Sequence, residues 1–212
     1  EATGIDESVS GVIVADNGQE ILILSYASIC EDAKEWCVTF SDKSEYKASL
    51  KKKDKDSGFA IFAVDKKSLS DATWSASSVA SLGNPNLTEQ GDVIFALGNI
   101  FGYAGGSGYG IVSSSNYKEI GRDGEYSVIA TDMSSASDGT GILFNLDGEV
   151  IGMISSDIWK TGEYVLRCLC DFRSELVIQL LANGASVPYI GVSGTAVTSG
   201  IQKEEGMRQE SM

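Results

Sequence analysis

Residues 141–154, GILFNLDGEVIGMI, contain the clearest hairpin signal in this chain. Two apolar runs flank the pair Asp147-Gly148, and both of these residue types accept the positive φ that a tight turn demands. Short apolar runs bounded by turn residues are typical of strands. The stretch therefore predicts a β-hairpin with a tight primed turn at Asp147-Gly148.

Similar short runs recur on the N-terminal side of this hairpin. Together with the hairpin they give ten predicted strands, at residues 11–15, 21–24, 36–40, 46–50, 59–64, 93–97, 110–113, 127–131, 142–145 and 150–154. Many short strands and few helices indicate an all-β sandwich or barrel. Because residues 67–90 lack strong periodicity, we interpret them as a linker between a first β unit at 10–66 and a second at 91–170.

The end of the chain has a different pattern. Asp171 can cap a helix over residues 171–184, in which the apolar side chains fall on one stripe and Gly184 supplies the stop. Residues 185–212 follow as a tail, with a further strand and turn at 187–197 and a polar end at 202–212. The sequence thus predicts two β lobes, one C-terminal helix and a tail.

Charge excludes one class of partner. The 212 residues contain 30 acidic and 16 basic side chains, for a net charge of -14. Such a field repels phosphate backbones, so we expect no nucleic acid partner.

The absence of histidine from the 212 residues restricts the chemistry further. Histidine is the usual proton shuttle near neutral pH and the commonest metal ligand. Its absence excludes Ser-His-Asp and Cys-His catalysis within this chain. The four cysteines lack the paired C-x-x-C spacing of a zinc site, so we predict neither a metal nor a cofactor. Cys30 and Cys37 are either free thiols or, in an oxidising compartment, the ends of a small disulfide loop.

Several segments, read in order, resemble the HtrA/Deg family of trypsin-like serine proteases, particularly the membrane-anchored members of Gram-positive bacteria. The matching segments are SGVIV at 10–14, GDVIFALGN at 91–99, GIVSS at 110–114, TD at 131–132 and LFNLDGEVIG at 143–152. The resemblance implies a trypsin-like double β-barrel over residues 1–184. Past the helix, YIGV at 189–192 resembles the opening of a PDZ domain, of which the tail holds a fragment at most.

The same resemblance places the catalytic triad on residues that cannot perform its chemistry. Where the family has T-N-x-H-V-V, this chain has SYASIC at 25–30, so Ser28 stands in for the general base. Gly58 occupies the position of the orienting aspartate, and Gly139 that of the nucleophile. The resemblance therefore implies a pseudoprotease that lacks the catalytic serine, histidine and aspartate of the family.

Three readings of function follow from this altered triad. The first is an inactive homologue that binds an unstructured peptide or a partner protein. The second is an active endopeptidase whose nucleophile is Thr140, Ser134, Ser135 or Ser137, activated by a lysine such as Lys43 or Lys47. The third is a structural spacer for a PDZ module.

The resemblance also implies where a peptide binds and where the protein works. In the family the substrate adds as a strand beside residues that correspond here to Ile154, Ser155, Ser156 and Asp157. Family members are often trimers, which implies a homo-oligomer. The chain opens at Glu1, so we expect a trimmed form of a secreted or membrane-anchored extracytoplasmic protein.

Overall fold

The computed structural model describes residues 8–30, 33–54, 58–121, 124–133, 135, 136, 139–154, 167–169 and 183. Eleven strands account for most of them, and their bounds are β1 Val12–Asp16, β2 Glu20–Tyr26, β3 Trp36–Thr39, β4 Glu45–Asp54, β5 Phe59–Asp65, β6 Val93–Asn99, β7 Gly106–Gly121, β8 Gly124–Thr131, β9 Thr140–Phe144, β10 Val150–Ile154 and β11 Arg167–Leu169. All pairs within the two sheets are antiparallel. The predicted mostly-β architecture with two lobes is confirmed.

The first lobe is an open sheet of five strands in the order β1-β2-β5-β4-β3. The expectation of a closed first barrel is wrong for the described residues, because β1 and β3 do not pair. The outer edge of β1 is instead met by the segment that leads to the second lobe, where the Ala80 amide donates to the Ile13 carbonyl at 2.8 Å. At its centre, β5 is buried on both faces, which explains its continuous apolar run at 59–64.

The second lobe is a closed barrel of six strands in the order β10-β11-β8-β7-β6-β9. Its interior holds nine buried side chains, namely Ile94, Ala96, Ile100, Val112, Ile129, Met133, Leu143, Ile151 and Ile154. A separate cluster joins the lobes: Leu22, Leu24 and Ile61 of the first pack with side chains of β9 and β10. The hairpin quoted above thus serves both the barrel and the interface between lobes.

The turn of that hairpin differs from the prediction. Gly148 has φ of 78°, but Asp147 is not in the positive-φ region, so the predicted primed turn is wrong. The Gly148 amide donates to the Asn145 carbonyl at 3.1 Å, closing a three-residue loop. The Asn145 side chain selects this loop, because its Oδ1 accepts from the amides of Asp147 at 3.1 Å and Glu149 at 2.9 Å.

The predicted linker at 67–90 is more ordered than its sequence pattern suggests. It contains a short helix, α1 (Asp71–Ser75), whose first turn is capped by the Ser70 side chain accepting from the Thr73 amide at 3.1 Å. Leu82 then forms a parallel bridge with Val150. The linker is therefore packed against both lobes, through Trp74 against the first and through Leu82 against the second.

The C-terminal predictions lie outside the described residues. These are the helix at 171–184, of which only Asn183 is described, and the tail at 185–212. Among the described residues, no helix has the length and apolarity required to cross a membrane.

The interlobe site

The first lobe brings two of the predicted triad positions side by side. Ser28 begins a 3₁₀ turn directly after β2, and Gly58 directly precedes β5. The Ala27 amide donates to the Gly58 carbonyl at 2.8 Å, which joins the two segments. Ser28 is exposed, and a Cβ added at Gly58 would meet nothing within 4 Å. Both positions therefore have room for a side chain.

Tyr26 of the first lobe contacts the second lobe at Gly141, two residues after the third predicted position, Gly139. Its side chain is 6% exposed, and its hydroxyl accepts from the Gly141 amide at 2.9 Å. The same hydroxyl lies 2.7 Å from the Gly141 carbonyl and 2.5 Å from the Ile154 carbonyl, to which it offers its single proton. Sequence reasoning missed this residue. The signal was a tyrosine at the end of an apolar strand, because a buried tyrosine hydroxyl requires a partner.

The position of the nucleophile, Gly139, is closed. It is buried, and a Cβ added there would lie 2.4 Å from the carbonyl oxygen of Ile100, which is a backbone atom that cannot turn aside. That carbonyl is held in place, since it accepts from the Ala136 amide at 2.9 Å. The Gly139 amide in turn donates to the Ala136 carbonyl at 3.0 Å. An amide that is engaged within its own loop is not free to stabilise an oxyanion.

The neighbouring hydroxyl, that of Thr140, is also engaged. Thr140 is 8% exposed, and its Oγ1 accepts from the Ser10 amide at 3.2 Å. The Ser10 hydroxyl donates to the Thr140 carbonyl at 3.1 Å, so the segment before β1 crosses to the second lobe here. No basic side chain in the described part of the chain hydrogen-bonds to Thr140. Of the other three candidates, Ser135 is exposed, while Ser134 and Ser137 lie outside the described residues.

The two lysines considered as bases lie on the surface of the first lobe. Lys43 is exposed in the turn between β3 and β4, with φ of 69°. Lys47 is exposed and donates to Glu35 at 2.9 Å. That hydrogen bond and the charge of Glu35 raise the pKa of the Lys47 ammonium, whereas a general base requires a lowered one. Neither lysine has the surroundings of a catalytic base.

The predicted peptide-binding segment is described only at its first residue. Ile154 lies inside the closed barrel, opposite Gly141 of β9 on one side and Cys168 of β11 on the other. Because β10 has neighbours on both edges at this point, a peptide strand would have to pair beyond it. Ser155, Ser156 and Asp157 lie outside the described residues.

The cysteines of the first lobe are unpaired. Cys30 is buried and Cys37 is exposed, and both are free thiols. Burial raises the pKa of the Cys30 thiol, so it is less readily ionised than an ordinary cysteine. No group of three or more potential metal ligands occurs in the described part of the chain.

Comparison with known proteins identifies this architecture. Residues 9–153 match the trypsin-like peptidase domain family, and the chain belongs to that family. It is a homologue of the HtrA/DegP-type serine endoproteases.

Two curated relatives illustrate the kinship. A probable periplasmic serine endoprotease, DegP-like, from Pseudomonas savastanoi pv. phaseolicola is 29% identical over 93% of this chain and 40% of its own length. A protein of the same description from Halomonas elongata is 32% identical over 74% of this chain and 31% of its own length. The chain thus spans less than half of the relatives that it matches.

A solved structure supports the fold. The HtrA-type protease AlgW, solved with a decapeptide, superposes with a TM-score of 0.72 at 22% identity, covering 95% of this chain and 60% of AlgW. The trypsin-like fold predicted from the sequence is confirmed.

Proposed function

We propose that this domain is a catalytically inactive member of the HtrA/DegP-type peptidases that binds an extended peptide or a partner protein outside the cytoplasm. One observation carries the proposal. The residue in the nucleophile position, Gly139, has neither a side chain nor space for one, in a chain whose 212 residues contain no histidine.

The surroundings of Gly139 support the same conclusion. Hydrolysis by this fold requires a nucleophile, a base and a donor that stabilises the oxyanion. Here the Gly139 amide bonds to the Ala136 carbonyl, and the Thr140 hydroxyl bonds to Ser10. Lys47, which could have served as a base, is committed to Glu35. Among the substitutes that lie in the described residues, Thr140 and Lys47 are thus engaged with other partners.

Peptide binding is proposed from the relatives and from the physical chemistry of strand addition. An extended peptide pairs through its main chain, so binding does not require a catalytic triad. AlgW was solved with a decapeptide, and we propose that the segment after Ile154, residues 155–157, receives a peptide in this chain. The description of the curated relatives as periplasmic supports an extracytoplasmic location. Trimer formation and kinship with Gram-positive members stay predictions of the resemblance.

The proposal is tested by measuring hydrolysis and binding in parallel. The purified chain is incubated with casein and with a fluorogenic peptide library, and binding of fluorescein-labelled casein fragments is followed by anisotropy. We expect saturable binding without turnover. The Thr140→Ala variant serves as the matched control and should behave like the parent chain. Turnover that disappears in this variant would contradict inactivity, and the absence of saturable binding would contradict peptide recognition.

A further inference from the structure

A depression lies on the second lobe, and none of the residues Tyr26, Ser28, Gly58 and Gly139 lines it. It has a volume of about 320 Å³ and lies between the 3₁₀ turn at Pro85–Leu87 and the β9–β10 turn. We call it the Leu87–Leu146 pocket after the two leucines that line it. These side chains are 76% and 72% exposed, and Val93, at 43%, also lines the pocket. Single exposed leucines are ordinary, but a convergence on one concave site is a feature of binding surfaces.

The two turns that carry the leucines are held firmly by hydrogen bonds. The Gly83 amide donates to the Val150 carbonyl at 2.8 Å, and the Val150 amide donates to the Ser81 carbonyl at 2.8 Å, which ties the approach to Leu87 onto β10. On the opposite side, Asn145 fixes the turn that contains Leu146. The leucines are therefore presented by ordered backbone, so binding would cost little ordering entropy.

The charge of the pocket has one sign. Asp92, Asp147 and Glu149 line it, and no lysine or arginine does. Asp92 and Glu149 each use one oxygen within their own turn, accepting from the Glu89 amide and the Asn145 side chain respectively, both at 2.8 Å. The three ion pairs found among the described residues all belong to the first lobe. The carboxylates of the pocket thus have no cationic partner in the described part of the chain.

We propose that the Leu87–Leu146 pocket binds a partner polypeptide segment in which apolar side chains lie beside lysine or arginine. The apolar side chain would enter between the leucines, and the cation would pair with the carboxylates at the rim. An anionic ligand is disfavoured by the same three carboxylates. This surface goes beyond the proposed function and does not depend on it, because no residue of the interlobe site takes part.

The test uses short glycine-serine peptides, labelled with fluorescein, that differ only at their centre. The centres are Lys-Leu-Leu-Lys, Glu-Leu-Leu-Glu and Lys-Ser-Ser-Lys, and binding to the full chain is measured by anisotropy at low and high salt. We expect the first peptide to bind at least tenfold more tightly than the other two, with affinity falling as salt increases. Equal binding of the three peptides would overturn the proposal.

Variants of the chain test whether the peptide binds in this pocket. Leu87→Ser with Leu146→Ser, and separately Asp147→Asn with Glu149→Gln, should each weaken the first peptide about tenfold. Tyr103→Ser removes a side chain that is 60% exposed elsewhere on the lobe and should leave binding unchanged. Unfolding midpoints equal to that of the parent exclude misfolding as the cause. Unchanged affinity in both double variants would overturn the proposal. Sedimentation velocity tests whether the chain associates with itself. Self-association that the leucine double variant abolishes would also overturn the proposal, because the occupant of the pocket would then be a second copy of this chain.

Discussion

The two lobes contribute to the interlobe site in opposite ways. On the first lobe, Ser28 is exposed and Gly58 has open space around its Cα, so both positions could accommodate the larger side chains of a base and an orienting acid. On the second lobe, Gly139 lies against the Ile100 carbonyl, and its amide is engaged. Loss of the triad is therefore not uniform. The two first-lobe positions have open space around them, whereas the space at Gly139 is filled by the backbone carbonyl of the residue after β6.

The largest loss of stability is expected from a substitution at Gly139. Gly139→Ser places a Cβ 2.4 Å from the Ile100 carbonyl, so the loop must move, and we expect a loss of about 3 kcal/mol in the free energy of unfolding. Urea denaturation followed by tryptophan fluorescence measures the loss. A Gly139→Ser variant as stable as the parent chain would mean that the position of the nucleophile has room for a side chain.

A smaller loss is expected at the residue that joins the lobes. Tyr26→Phe removes the buried hydroxyl that serves the Gly141 amide and the carbonyls of Gly141 and Ile154, at a cost of about 2 kcal/mol. Tyr103→Phe removes an exposed hydroxyl and is the matched control, with an expected change below about 0.5 kcal/mol. Equal effects of the two substitutions would show that Tyr26 does not hold the lobes together.

The first-lobe positions should tolerate the residues of an active enzyme. Gly58→Asp should cost about 1 kcal/mol, because φ is 73° at this position and aspartate accepts that region better than most residues. Ser28→His at its exposed position should change the free energy of unfolding by less than about 0.5 kcal/mol. Thermal unfolding of both variants, measured beside Gly139→Ser, ranks the three losses of stability. A larger loss at position 28 or 58 than at position 139 would contradict the difference between the two lobes.

The smallest expected effect is a pH dependence that belongs to the first lobe. The hydroxyl of Thr73, a fully buried residue, donates to Asp42 at 2.6 Å and, with the Ser44 amide, lowers the pKa of that carboxyl. Because the folded pKa lies below the ordinary value of about 4, the carboxylate stabilises the fold above that pH, and the contribution is lost as pH falls through the folded pKa.

Thr73→Val tests this dependence. Removing the hydroxyl should make the decline in the free energy of unfolding shallower between about pH 5 and about pH 2, as measured by urea denaturation at a series of pH values. Thr39→Val, at an exposed position of β3, is the control and should retain the slope of the parent. An unchanged slope in the valine variant would assign the acid sensitivity to another group.

Much of the fold could be predicted from the sequence because strands and turns are local patterns. All ten predicted strands are present, and the turn signal at 147–148 lies in a real hairpin. The type of turn was missed, because the Asn145 side chain caps a longer loop. The open edge between β1 and β3 was missed because strand pairing depends on distant segments, here the Ala80 amide on β1.

Only part of the candidate site could be predicted from the sequence. Comparison with the sequence motifs of the family located Ser28, Gly58 and Gly139, since each lies in a segment that resembles one of those motifs. The lack of space at Gly139 could not be predicted, because the atom that fills this space is the backbone carbonyl oxygen of Ile100, which follows a different strand. Tyr26 was missed for a related reason: its three partners are backbone groups more than 100 residues away in the chain.

Intact-mass spectrometry of the parent chain, after exposure to a fluorophosphonate that labels activated serine and threonine hydroxyls, shows directly whether the position of the nucleophile is closed. If the second lobe has closed the position of the nucleophile, the mass remains that of the unmodified protein, while an active trypsin-like protease treated in parallel gains one adduct. An adduct mapped to Thr140 or to a serine at 134–137 would contradict this account.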